Sequence, residues 1–277
     1  MNKWTKYAIL AVALIVFAFS LLHASWLADE PTGKPKLIAD HALPPVMDTQ
    51  GCTAPAANSG YGGQSFAPDI GALQMAVGMS ADGIRVTTER KGDALVLARQ
   101  FDSKCPADLA RPGASLADTS AALSKPTRFW QGEGADNAAL LLAAIPVGNT
   151  QDAYIGDDAA VKVIKAARPE AWAFSISGAR KCASDYRASL SGAVPESCKG
   201  GTMLLTMDDL GFTLWGWPNR FLQRMQDAGT QVIIAEDVVD GRIKGLTDMH
   251  QYGDIAHSYN GWIWVDKIEE LGPALKR

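Results

Sequence analysis

The chain has 277 residues, 47% of them hydrophobic, and a formal net charge of −4 at pH 7. That apolar share is ample for one large buried core, and the acidic balance removes the electrostatic reason to bind nucleic acid. From Tyr7 to Leu22 every residue is apolar except Ser20. With Trp26 and Leu27 the run approaches the roughly 20 residues needed to cross hydrocarbon. Lys3 and Lys6 precede it and Asp29 and Glu30 follow, so the positive-inside rule keeps the N-terminus in the cytoplasm and exports the rest. A cleaved signal peptide is the rival reading. Its cleavage sites are poor: Ala18-Phe19-Ser20 lies inside the apolar run, and large residues stand two positions before Ala24, Ser25 and Ala28. The expectation is therefore an uncleaved signal anchor over 1–28, in the inner (cytoplasmic) membrane, with the globular part on the periplasmic side. Residues 29–49, rich in proline and polar residues, read as a tether with little regular structure. Residues 50–277 form the domain.

Within that domain, apolar runs starting at Asp82, Ala94, Ala139, Ala171, Thr202, Gln231 and Gly261 read as strands, with a weaker candidate near Cys52–Ala57. Helical stretches stand between most of them: DIGALQMAVGM, DDAAVKVIKAA, NRFLQRMQDAG and LTDMHQYGDIAHSY. Buried strands alternating with amphipathic helices predict a parallel sheet covered on its outer side. Eight strands in about 230 residues fit a (β/α)₈ TIM-like barrel preceded by a single transmembrane helix. A doubly wound sheet is the alternative, and no GxGxxG or P-loop supports it. Barrel ligands sit at the C-terminal strand ends, which nominates Thr87, Thr88, Arg99, Ser177, Asp208, Glu236, Asp237 and Asp266. Ser175 and Ser177, alternating with Phe174 and Ile176, are expected to face the interior. Trp215 and Trp217 are expected over the barrel mouth, and His250 and His257 on one helix face remote from it. Four cysteines in an exported domain favour disulfides; Cys182–Cys198, closing a short polar loop, and Cys52–Cys105 are the preferred pairs.

The stretch from Asn58 to Asp102 resembles the start of a glycerophosphodiester phosphodiesterase domain. That family carries His-Arg-Gly after strand one, a Pro-Glu-Asn-Thr-Leu helix start, Ala-Asp-Gly-Ile-Glu-x-Asp on strand two and His-Asp after strand three. Here Ala81–Ile84 reads ADGI, with the spacing back to Asn58-Ser59-Gly60 preserved. FLQRMQDAGTQVIIAE and DMHQYGDIAHSYNGWIWVDKIEEL resemble the family's seventh strand and its closing helix and strand. The resemblance implies a (β/α)₈ barrel, a phosphoric diester hydrolase of lipid metabolism, and Ca²⁺ or Mg²⁺ as cofactor. The matched positions have changed. Asn58 and Ser59 replace the first His-Arg, Arg85 and Thr87 the strand-two acids, and Ala98 and Arg99 the second His-Asp. Alanine and asparagine move no protons near neutral pH, and an arginine puts fixed positive charge where a cation would sit. No cofactor is therefore expected. The expectation is a pseudoenzyme that binds an anionic phosphodiester-like molecule through Asn58, Arg85, Thr87 and Arg99, or an envelope protein. Its alternative is an active phosphoric diester hydrolase with a rearranged site, proton transfer falling to Glu236 or Asp237.

Overall fold

The computed structural model describes residues 3–43, 68–101, 104–146, 151–189, 192–211 and 213–275. The strands are β1 (Lys36–Ala39), β2 (Gly83–Lys91), β3 (Ala94–Leu97), β4 (Thr127–Gln131), β5 (Asp152–Gly156), β6 (Trp172–Ser175), β7 (Thr202–Thr206), β8 (Gln231–Ala235), β9 (Asp237–Val239), β10 (Arg242–Lys244) and β11 (Trp262–Val265). Eight of them run in the order β6-β5-β4-β2-β1-β11-β8-β7, every recorded pairing along that path parallel. This is a nearly closed TIM-like barrel. At the seam between the end strands, Trp172 Nε1 donates to Thr202 Oγ1 at 2.9 Å. β3 pairs antiparallel with the far half of β2, outside the barrel.

Side chains alternate across each strand with period two, and here that alternation divides two cores. Ile38, Phe129, Ile155, Phe174, Leu204, Ile233, Trp262 and Trp264 belong to one cluster, filling the barrel. Phe129 anchors it, with ring centroids 5.0 Å from Trp172, 5.7 Å from Trp262 and 6.1 Å from Trp264, all edge-on, the geometry aromatic quadrupoles favour. Gly83 makes room: a Cβ there would stand 2.6 Å from a Phe129 ring carbon. The opposite strand faces, including Leu37, Ile84, Tyr154 and Leu205, join the core beneath the helices.

Three barrel strands differ from the sequence reading. β1 lies inside the stretch 29–49 read as a tether, so the barrel begins before residue 50. β4 and β5 are hidden because Arg128 and Asp152 stand beside only short apolar stretches, Phe129-Trp130 in one and Ala153–Ile155 in the other. Both are buried and paired with each other at 2.7 Å, so the polarity that signals a loop is neutralised in the core. The run from Ala139 is helical instead, within α5 as α1 (Lys3–His23), α2 (Pro68–Gly78), α3 (Pro106–Ala110), α4 (Leu116–Ala122) and α5 (Ala135–Ala144) follow in order. Its alanines and leucines are strong helix formers, not the β-branched residues strands prefer. The remaining helices are α6 (Asp158–Ala167), α7 (Ile176–Ala188), α8 (Asn219–Asp227), α9 (Met249–Gly253) and α10 (Ile268–Leu275). α9 covers only part of the expected LTDMHQYGDIAHSY helix. Cys52–Ala57 lies outside the described residues.

α1 is long and apolar enough to cross a membrane, and none of its span Lys3–Leu21 is buried. The Cys182–Cys198 disulfide is present, with Cα atoms 4.9 Å apart. Cys105 is also disulfide-bonded; Cys52 lies outside the described residues.

Candidate functional site

The inward positions of each strand climb in layers, and the aromatic layers give way to polar ones at the C-terminal end. Asp40 follows β1 two residues above Ile38, Arg85 stands on β2 two residues above Gly83, Gln131 ends β4 above Phe129, and Asp266 follows β11 above Trp264. Asp40 is buried and organises the group. Its Oδ1 lies 2.9 Å from Arg85 Nε and accepts the Trp264 indole N–H at 2.7 Å. Its Oδ2 accepts from Arg85 Nη2 at 3.1 Å and lies 3.0 Å from His41 Nδ1. Arg85 Nη1 reaches Gln131 Oε1 at 3.0 Å. Asp266 faces the same group, its Oδ1 accepting the Gly245 amide at 2.9 Å. Only glycine permits that approach, because a Cβ at 245 would stand 2.6 Å from Asp266 Oδ1.

The electrostatics follow from this packing. The hydrogen bond to Asp40 is the main cause that holds the His41 pKa above its ordinary value, although burial opposes it. Burial pushes the Asp266 carboxyl up, and the Asp40 charge adds to the effect. Both groups thus retain protons to higher pH than in a free chain.

Asp40, His41 and Asp266 each offer a ligand atom within 4.8 Å of the others, the kind of cluster in which the divalent cation of the resembled family would sit. It does not fit Ca²⁺ or Mg²⁺. Each Asp40 carboxylate oxygen already has two cationic or N–H neighbours within 3.1 Å, one Asp266 oxygen accepts from Gly245, and the guanidinium of Arg85 puts fixed positive charge beside them. Hard cations also prefer all-oxygen sites to imidazole.

The other sequence candidates separate. Arg85 is central, and Thr87 stands on the same face of β2, in register with Gln131. Arg99 is exposed and donates to the Leu109 carbonyl at 3.3 Å. Asn58 lies outside the described residues, and the residues that the fold sets after strand one are Asp40 and His41. Glu236 is ion-paired with Lys244, and Asp237 opens β9, where its Oδ1 accepts its neighbour Val238's amide at 2.7 Å. The β9–β10 hairpin leans its Val238 and Ile243 onto the barrel-interior cluster. Ser175 does not face the interior. Its hydroxyl caps α7 through Gly178 N at 3.0 Å and contacts Asp158, while Phe174 and Ile176 take the inner side. Nor do the tryptophans cover the mouth: Trp217 packs on Phe221 and Tyr259 in the helix-side core, and Trp215 meets Phe19 of α1. His250 is exposed beside Asp254.

A barrel of this outline matches solved structures. A glycerophosphodiester phosphodiesterase from Agrobacterium tumefaciens superposes with TM-score 0.52 at 14% identity, over 87% of this chain and 99% of that one. The glycerophosphoryl diester phosphodiesterase domain of Rv2277c from Mycobacterium tuberculosis gives TM-score 0.55 at 13% identity, over 86% and 97%. The chain has the glycerophosphodiester phosphodiesterase fold. No family model matches the sequence, and no curated protein does. At such identities the likeness carries the fold, and the site residues stand on their own geometry. Asp40 and His41 were missed by sequence reading because a four-residue strand between prolines reads as linker. The signal present was the apolar triplet Leu37–Ala39 directly before two charge-bearing residues.

Proposed function

We propose that the chain is a membrane-anchored, exported barrel, divergent from glycerophosphodiester phosphodiesterases, that binds an anionic ligand at its mouth without metal-dependent hydrolysis. The observation that carries this reading is Arg85 at the mouth, fixed by Asp40 and Gln131. Of the five guanidinium N–H groups, three are engaged among the described residues, which leaves two to meet a phosphate or carboxylate. His41, more than half exposed, adds a second positive donor when protonated. Such charge-assisted, two-point contacts suit a phosphomonoester or phosphodiester. Thermal-shift titration with glycerol 3-phosphate should stabilise the chain, and Arg85→Ala should abolish the response; a flat wild-type response overturns the reading.

One observation favours a second reading, hydrolysis through a rearranged site. Asp40 holds His41 by Nδ1, an arrangement that orients Nε2 for proton transfer. Turnover of bis-p-nitrophenyl phosphate without added metal, lost in His41→Gln, would establish it. Glu236, neutralised by Lys244, is the weaker candidate for that role.

A further inference from the structure

α1 does not leave the barrel freely. Ala24, at its end, is fully buried, although the span before it is wholly exposed. The Phe19 ring meets Trp215 edge-on at 5.5 Å. Arg220 Nη1, from the first turn of α8, donates to the Leu21 carbonyl at 2.6 Å, and the Asn219 amide donates to Ser25 Oγ at 3.3 Å. Farther along, Asn260 Nδ2 donates to the Thr32 carbonyl at 3.0 Å. The last carbonyls of a helix have no partner within it and carry its negative end; the Leu21 carbonyl accepts the Ala24 amide at 3.3 Å, and an arginine of the barrel wall supplies a second, charged partner. Beside this junction Trp26 is 76% exposed and Leu27 52%.

We infer that the end of α1 and the start of α8 form a fixed mount, which seats this one wall of the barrel on the phospholipid headgroup layer. A loosely tethered domain needs none of these contacts. A wall docked within a turn of the spanning helix lies at headgroup depth, where an amphipathic tryptophan and an arginine are at home. The partner is the phosphate-bearing surface of a bilayer. The inference rests on the anchor reading and is independent of what the mouth binds.

The test uses the full chain reconstituted in phosphatidylcholine–phosphatidylglycerol vesicles, spin-labelled at Gln223→Cys on α8 or at Ala139→Cys on α5, across the barrel. A nickel chelate carried on lipid headgroups should relax the label at 223 severalfold more than that at 139. Equal relaxation overturns the mount. Adding Arg220→Ala and Phe19→Ala should remove the difference while thermal unfolding shows the barrel still folded; a difference unchanged by them also overturns it. Failure of the chain to float with the vesicles would instead sink the anchor reading, a separate outcome.

Discussion

Two arginine–aspartate pairs join neighbouring strands at opposite ends of the barrel. Arg128 of β4 and Asp152 of β5 lie toward the N-terminal end, with side chains 1% and 2% exposed. Arg128 also donates to the carbonyls of Ser120 and Leu123, and Trp130 Nε1 donates to Asp152 Oδ1. Arg85 and Asp40 close the other end, and there the arginine is 25% exposed. Identical chemistry thus serves two ends: sealed, it ties strands and helix together; open on one side, it leaves the guanidinium partly exposed, where the proposal puts the ligand. Exposure of the cation, with an ionisable neighbour in His41, separates the proposed site from a staple.

The sealed pair should break hardest. Asp152→Ala or Arg128→Met leaves a lone buried charge, expected to cost about 3–5 kcal/mol and lower the melting temperature by about 10 °C. The double replacement Arg128→Met with Asp152→Leu should recover much of that loss in calorimetry; equal damage would make the pair's partners, not its charge, the cause. Opening the Cys182–Cys198 loop, whose cysteines are 16 residues apart, should cost about 3 kcal/mol in denaturant unfolding without altering ligand response at the mouth. Arg85→Ala should move stability by only about 1 kcal/mol, since its partner Asp40 keeps Trp264 and His41, yet eliminate the phosphate-induced thermal shift. Arg85→Lys should restore little, because an ammonium cannot hold Asp40 and Gln131 in one plane.

The smallest effects concern pH. His41 has a raised pKa in the folded chain, so its contribution to stability and to anion affinity is complete below the unfolded value and lost as pH rises through the folded one. Asp266, also raised, has the same sign in its own, more acidic window. Imidazole resonances followed by NMR should titrate above the ordinary histidine range and fall back in Asp40→Asn; no movement would detach His41 from Asp40.

Much of this molecule was legible from residues alone. The apolar helix at the N-terminus, the β2, β6, β7, β8 and β11 strands and the α2, α6 and α8 helices follow from local periodicity, and the barrel from their alternation. Cys182–Cys198 follows from parity and a short polar loop. Arg85 was legible only through the family resemblance, as the residue standing where a strand-two glutamate would be. Tertiary structure alone decided the rest. Only the ladder to β11 and β2 makes a strand of four residues between prolines, and with it brings Asp40 and His41 to Arg85 and Asp266 from distant parts of the chain. Only pairing across strands lets Arg128 and Asp152 be buried, reversing their usual meaning. Local sequence reports the period of a segment; which charges neutralise each other, and which stay open to a ligand, is settled when the barrel closes.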